Sequence, residues 1–97
     1  MSCVIDSQTF ASPVLQLPLL LGADLCVHSA TKFLSGHSDV LTGVVIAPTA
    51  EIADKLKAER SVSGGTLGNM EAWLLLRSIR TLGLRVKRQS ETAVRLL

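Results

Sequence analysis

The residues best equipped for chemistry lie between His28 and Asp39, in the run His-Ser-Ala-Thr-Lys-Phe-Leu-Ser-Gly-His-Ser-Asp. Lys32 is the only lysine or arginine in the first fifty residues, with Ser29 and Thr31 before it and Phe33 and Leu34 after it. An ordinary lysine amine has a pKa of ~10.4, so about one in a thousand or fewer is neutral at pH 7. Amine chemistry near neutrality therefore needs desolvation or a cationic neighbour to lower that value. A single lysine among apolar residues meets the first condition, and condensation with an aldehyde would use it directly. Ser29 and Thr31 stand two apart, so in an extended segment their hydroxyls share a side and can donate to phosphate oxygens.

Asp6 is the fourth candidate. It closes the apolar run Cys3-Val-Ile, and ligands of parallel α/β sheets bind beyond the carboxyl ends of strands. Asp6 and the Ser29–Lys32 segment would then meet at one rim if their strands are neighbours. A carboxylate there can keep a pyridine nitrogen protonated, which makes the ring a better electron sink. Plainer readings exist for each residue: a surface lysine, a loop-capping aspartate, and a Gly-His-Ser-Asp turn shaped by His37 and Asp39. A zinc site from Cys3, Cys26, His28 and His37 lacks paired-ligand spacing, so the site is read without a metal. Cys26 and His28 as a nucleophile pair would both lie on one buried strand.

The elements that must place these groups follow from pattern. Cys3–Asp6 reads as the end of a buried strand, Leu25–His28 as a second and Thr42–Ala47 as a third. Pro13–Leu21 suits a short helix that starts on proline and stops at Gly22. Strand, helix, strand at this spacing predicts a parallel pair, and the third strand's direction stays open. Thr49 caps a helix to about Arg60, with acidic residues early and basic ones late. Ser61–Thr66 reads as a flexible connector. From Asn69, the residues Trp73, Leu76, Ile79 and Leu82 recur at helical spacing, with Gly83 ending or bending that helix and Leu84–Leu97 starting another.

Composition narrows the class. The 97 residues are 47% hydrophobic and 19% charged, with a mean hydropathy of +0.40, too apolar for a disordered chain. Aromatics are limited to Phe10, Phe33 and Trp73, few for a self-sufficient domain, so the chain reads as part of something larger. Pro13–Val27 is broken by Gln16, Pro18, Gly22 and Asp24 and is too short to span a membrane. The start carries no basic segment or cleavage site. Two cysteines make no disulfide framework, and a cytoplasmic, reducing setting is expected. Residues 51–97 are net basic, but no aromatic platform or recognition motif supports nucleic-acid binding.

Several segments together resemble the Cys/Met-metabolism family of pyridoxal-phosphate (PLP) enzymes, which includes cystathionine γ-synthase and the cystathionine β- and γ-lyases. They are Asp6, Thr-Phe-Ala-Ser-Pro (9–13), Leu-Gly-Ala-Asp (21–24), His-Ser-Ala-Thr-Lys-Phe, Gly-His-Ser-Asp-Val, Ala-Trp-Leu-Leu-Leu-Arg-Ser-Ile-Arg-Thr-Leu (72–82) and Leu-Arg-Val (84–86). The resemblance implies an α/β fold, a fragment of the large domain of a fold-type I PLP-dependent transferase with two to three strands followed by helices. Residues 1–83 would form a partial PLP-binding domain and 84–97 the start of a helix leading towards a C-terminal domain.

By the same resemblance Lys32 becomes the Schiff-base lysine and general base, Ser29 and Thr31 phosphate contacts, and Asp6 the pyridine-nitrogen partner. The implied activity is transsulfuration, by β/γ-elimination or γ-replacement on cystathionine or a related sulfur amino acid, in a homo-oligomer. Arg77, Arg80 and Arg85 match basic positions with structural roles only. Two departures qualify this. The family reads Asp-Asn-Thr-Phe where this chain reads Asp6-Ser7-Gln8-Thr9-Phe10. An insertion after Asp6 keeps its role, whereas an ungapped match places Ser7 there. The family is also about four times longer, so its phosphate loop, ring-stacking aromatic and carboxylate-binding arginine have no counterparts here. A catalytically incompetent remnant is the alternative reading.

Overall fold

The computed structural model describes residues 3–97. The elements run β1 (Ile5–Ser7), a 3-10 turn (Pro18–Leu21), β2 (Leu25–Ser29), β3 (Gly43–Ile46), α1 (Ala50–Ser63), α2 (Asn69–Ile79) and α3 (Leu82–Leu96). The sheet order is β1-β2-β3. β1 and β2 are parallel, with Asp6 opposite Cys26 and Ser7 opposite Val27. β2 and β3 are antiparallel, with His28 opposite Val44 and Ser29 opposite Gly43. The expected parallel pair is therefore present, and the third strand's direction is antiparallel.

The crossover between β1 and β2 differs from the helix expected over Pro13–Leu21. Only Pro18–Leu21 is helical, as a single 3-10 turn with proline at its start, and Gly22 closes it in the left-handed region at φ 100°. The second proline explains this. Pro18 has no N–H to donate, so a helix begun at Pro13 would lose a bond in its second turn.

Thr49 caps α1 as expected, its hydroxyl accepting from the Ile52 N–H at 3.4 Å, and Gly64 at φ 78° ends the helix. α1 thus runs through Ser63, three residues into the stretch expected to be a connector. Gly83 neither ends nor bends a helix. The break falls at Arg80–Thr81, where Thr81 N donates to Ser78 O at 3.2 Å, and α3 begins at Leu82.

The core is small. Ala30, Leu34, Leu75, Leu82 and Val86 form it, with Phe33 and Val44 packed against it. On α2 the buried positions are Leu75 and Ser78, not the expected stripe: Trp73, Leu76 and Ile79 are exposed. Trp73 to Leu76 is apolar on every side, so periodicity alone could not say which face turns inward. β1 is likewise a strand but not a buried one, since Val4 and Ile5 are more than half exposed.

The chain forms a slab of 45 × 35 × 17 Å. Its radius of gyration is 14.7 Å, against about 12.5 Å for a compact chain of this length. Three strands and three helices spread this flat cannot close around a larger core. Leu20, Leu21, Leu41, Leu84 and Val94 accordingly remain on the surface.

Candidate functional site around Lys32

β2 leads straight into the site. Its burial alternates, with Cys26 and His28 inward and Leu25, Val27 and Ser29 on the other face, as the two-residue period of a strand requires. Past Ser29 the chain folds into one tight turn. Lys32 N donates to Ser29 O at 3.1 Å, Ser35 N to Ala30 O at 2.9 Å and Gly36 N to Lys32 O at 2.7 Å. Ala30 and Leu34 point into the core from this turn while Lys32 stays exposed.

Thr31 fastens the turn to the approach to β3. Its hydroxyl accepts from Thr42 N at 3.0 Å, and its own N–H donates to Thr42 O at 3.2 Å. The hydroxyl proton has only a long 3.3 Å contact with that same carbonyl. It is therefore free to turn towards a better acceptor. The Ser29 N–H donates to the Thr9 hydroxyl at 3.1 Å, which ties the segment after β1 to the end of β2.

Lys32 and Thr31 line one open cleft of about 750 Å³, shared with Phe10, Phe33, Asp39 and Gln89. Ser29 and Asp6 are not in that lining. Asp6 is the middle residue of β1, in register with Cys26 and on the Cys26–His28 face. Ser7 takes the face of Val27 and Ser29. The structure thus joins Lys32 with Thr31, keeps Ser29 beside them through the backbone, and sets Asp6 across the strand. Nor does the chain dry the Lys32 amine: desolvation would have to come from whatever covers the cleft.

The other titratable groups have structural partners. His37 Nδ1 lies 2.6 Å from Ser35 O. A carbonyl only accepts, so Nδ1 carries the proton, and Ser78 Oγ at 3.2 Å accepts as well. His37 therefore has no free Nδ1 lone pair to activate that serine. Asp39 accepts from the Ser35 hydroxyl at 3.1 Å and faces Arg77 at 3.7 Å, and this guanidinium lies 5.7 Å from the Trp73 ring. Cys26 Sγ and His28 Nε2 are 3.3 Å apart and both are buried. Burial first, then the Asp6 carboxylate, raises the Cys26 thiol above its usual pKa of 9.0. Both effects favour the unreactive thiol.

Arg85 is the residue that sequence reasoning undervalued. From α3 it donates to Phe33 O at 2.9 Å, Leu34 O at 3.3 Å, Ser78 O at 2.9 Å and the Thr81 hydroxyl at 3.0 Å. Nothing in its helical spacing marks it out from Arg77 or Arg80. Only the fold brings it to the lysine turn.

The model of the Cys/Met metabolism PLP-dependent enzymes matches residues 1–97. The chain belongs to this family. Among its relatives, cystathionine γ-lyase of Bacillus subtilis is 46% identical over 90 residues, 93% of this chain and 24% of that protein. Cystathionine γ-synthase of Haemophilus influenzae is 41% identical over 90 residues, with the same shares covered. The crystal structure of cystathionine γ-synthase from Xanthomonas oryzae, in complex with aminoacrylate and cysteine, superposes with a TM-score of 0.81 at 44% identity, over 84% of this chain and 21% of that one. Each match is to about a quarter of a Cys/Met-metabolism enzyme, and the matched part includes α/β elements of the kind expected.

The family's cofactor suits the residues present. A lysine amine and a hydroxyl whose only donated bond is a long one share one cleft, whose volume lies within the roughly 300–1,000 Å³ usual for small-molecule sites.

Proposed function

We propose that this chain provides the lysine-bearing part of a PLP site acting on sulfur amino acids, as the cystathionine lyases and synthases of its family do. The observation that carries the reading is Lys32 at the tip of the turn after β2, in one cleft with Thr31. Lys32 Nζ is the covalent anchor and, once free, the base that accepts a Cα proton. Thr31 and Ser29 would hold the phosphate by hydrogen bonds from their hydroxyls. Asp6, the only carboxylate on β1, is the residue that would serve the ring nitrogen, from the Cys26–His28 face of the sheet. When bound, the cofactor supplies the electron sink that stabilises the resulting carbanion. Transsulfuration of cystathionine or a related thioether is the activity this supports, within a homo-oligomer of the family type.

The open cleft favours a second reading, in which the chain takes up the cofactor without turning substrate over. Lys32 is exposed there. Both readings are tested on the purified chain with pyridoxal 5'-phosphate, borohydride trapping and peptide mapping. Trapping at Lys32 ahead of Lys55, Lys57 and Lys87 is expected, and equal labelling of all four overturns the site. Thiol release from cystathionine that disappears in Lys32→Ala supports the first reading. Cofactor trapping without any thiol release supports the second.

A further inference from the structure

We infer that Arg85 is a positioning residue for Lys32, acting through the backbone of the turn that carries the amine. Arg85 and the turn are more than fifty residues apart in sequence, yet the guanidinium reaches the carbonyls of Phe33 and Leu34, the two residues after Lys32. The turn's own hydrogen bonds come from Lys32, Ser35 and Gly36 and end on Ser29 O, Ala30 O and Lys32 O. The Phe33 and Leu34 carbonyls take no part in those bonds and accept from the guanidinium instead. A planar fork meets both at once, and such bonds are about twice as strong as neutral ones.

The same guanidinium is fixed from behind. Nη2 also donates to Ser78 O and Nε to the Thr81 hydroxyl, both at the junction of α2 and α3. Arg85 therefore locks three segments into one geometry: the lysine turn, the end of α2 and the start of α3. Gly36 supplies the space. A Cβ at position 36 would collide with Arg85 Nη1 and stand 2.8 Å from Cζ. Glycine there suits both φ 69° and the space the guanidinium occupies.

The consequence is a defined direction for Lys32. With Phe33 O and Leu34 O held, the turn cannot unwind towards the cleft, and the amine starts from one backbone geometry. This inference rests on Lys32 being the cofactor lysine, but the ordering of the turn can be measured without any cofactor.

The test compares the chain with Arg85→Ala, Arg85→Lys and Gly36→Ala. Amide hydrogen exchange is followed at Ser35 and Gly36, with Ala53 and Leu56 of α1 as internal references. Protection at Ser35 and Gly36 should fall by about tenfold or more in Arg85→Ala, while the references stay unchanged. Arg85→Lys keeps the charge without the fork and should fall between the two. Gly36→Ala should match Arg85→Ala by displacing the guanidinium. Millimolar methylguanidinium should restore protection in Arg85→Ala but not in Gly36→Ala. Unchanged protection in both Arg85 variants overturns the inference, and so does absence of rescue.

A second arm reads Lys32 itself, as the ratio of borohydride-trapped pyridoxyl label at Lys32 to that at Lys55. The ratio should drop in Arg85→Ala and recover with methylguanidinium. Should Lys32 show no preference in the unmodified chain, the cofactor reading fails while the exchange arm still decides the role of Arg85.

Discussion

The Thr42 N–H donates to the Thr31 hydroxyl at 3.0 Å while the Thr31 N–H donates to Thr42 O at 3.2 Å, so one residue's backbone and side chain together join the lysine turn to β3. This pairing makes Thr31 a structural residue as well as a ligand candidate. Thr31→Val keeps the shape and leaves the Thr42 N–H without its acceptor. It should cost about 1 kcal/mol, read as a lower urea midpoint at unchanged slope, whereas Thr31→Ser should cost less than half of that. Equal midpoints for the valine and serine variants would show that the hydroxyl carries no load.

The glycines at positions 22 and 36 should respond differently to alanine. Both have positive φ, at 100° and 69°, but a Cβ at Gly22 meets nothing within 4 Å while one at Gly36 meets Arg85. Backbone strain of about 1–2 kcal/mol is common to both. Gly36→Ala should lose a further ~1 kcal/mol or more through the displaced guanidinium bonds. Paired thermal melts test the order, and a Gly22→Ala variant less stable than Gly36→Ala would contradict it.

Cys26 gives a pH signature. Its folded thiol keeps its proton at a pH where the unfolded thiol, near 9.0, has begun to release it. The unfolded state then binds fewer protons, so stability falls as pH rises. The contribution is complete below about pH 9 and is lost as pH climbs through the raised folded value. Urea midpoints should therefore decline more steeply above pH 9 in the natural chain than in Cys26→Ala. With iodoacetamide, exposed Cys3 should be alkylated before buried Cys26.

Asp6 and Ser7 make opposite claims on the ring nitrogen, and they lie on opposite faces of β1. With a carboxylate as partner, Asp6→Asn should weaken the yellow colour formed with pyridoxal 5'-phosphate, and Ser7→Ala should leave it unchanged. Colour lost in Ser7→Ala alone would assign the position to Ser7.

Much of this architecture is legible in the sequence. β2 announced itself by Leu25-Cys-Val-His28, and Thr49 marked the start of α1, because strand alternation and helix caps are local signals. Ser29, Thr31 and Lys32 stand out by residue type, but the segment reads as extended, and the turn that the Lys32, Ser35 and Gly36 amides close there differs from that expectation. The exposed state of Lys32 was not legible, since the apolar neighbours Phe33 and Leu34 turn to the core and leave the amine outside. Trp73 misled because residues 73–76 are apolar on every side of the helix. Arg85 stayed invisible because its partners, Phe33 and Leu34, become neighbours only when α3 folds back on the turn.

The three-stranded sheet has a further effect on how the molecule behaves in a tube. β1 and β3 are each paired on one side only, and Gly43-Val-Val-Ile46 carries no charge along its length. An uncharged outer strand of this kind invites another copy to extend the sheet. Turbidity at high protein concentration should therefore originate at these two borders, and a lysine in place of half-exposed Val45 should keep the solution clear.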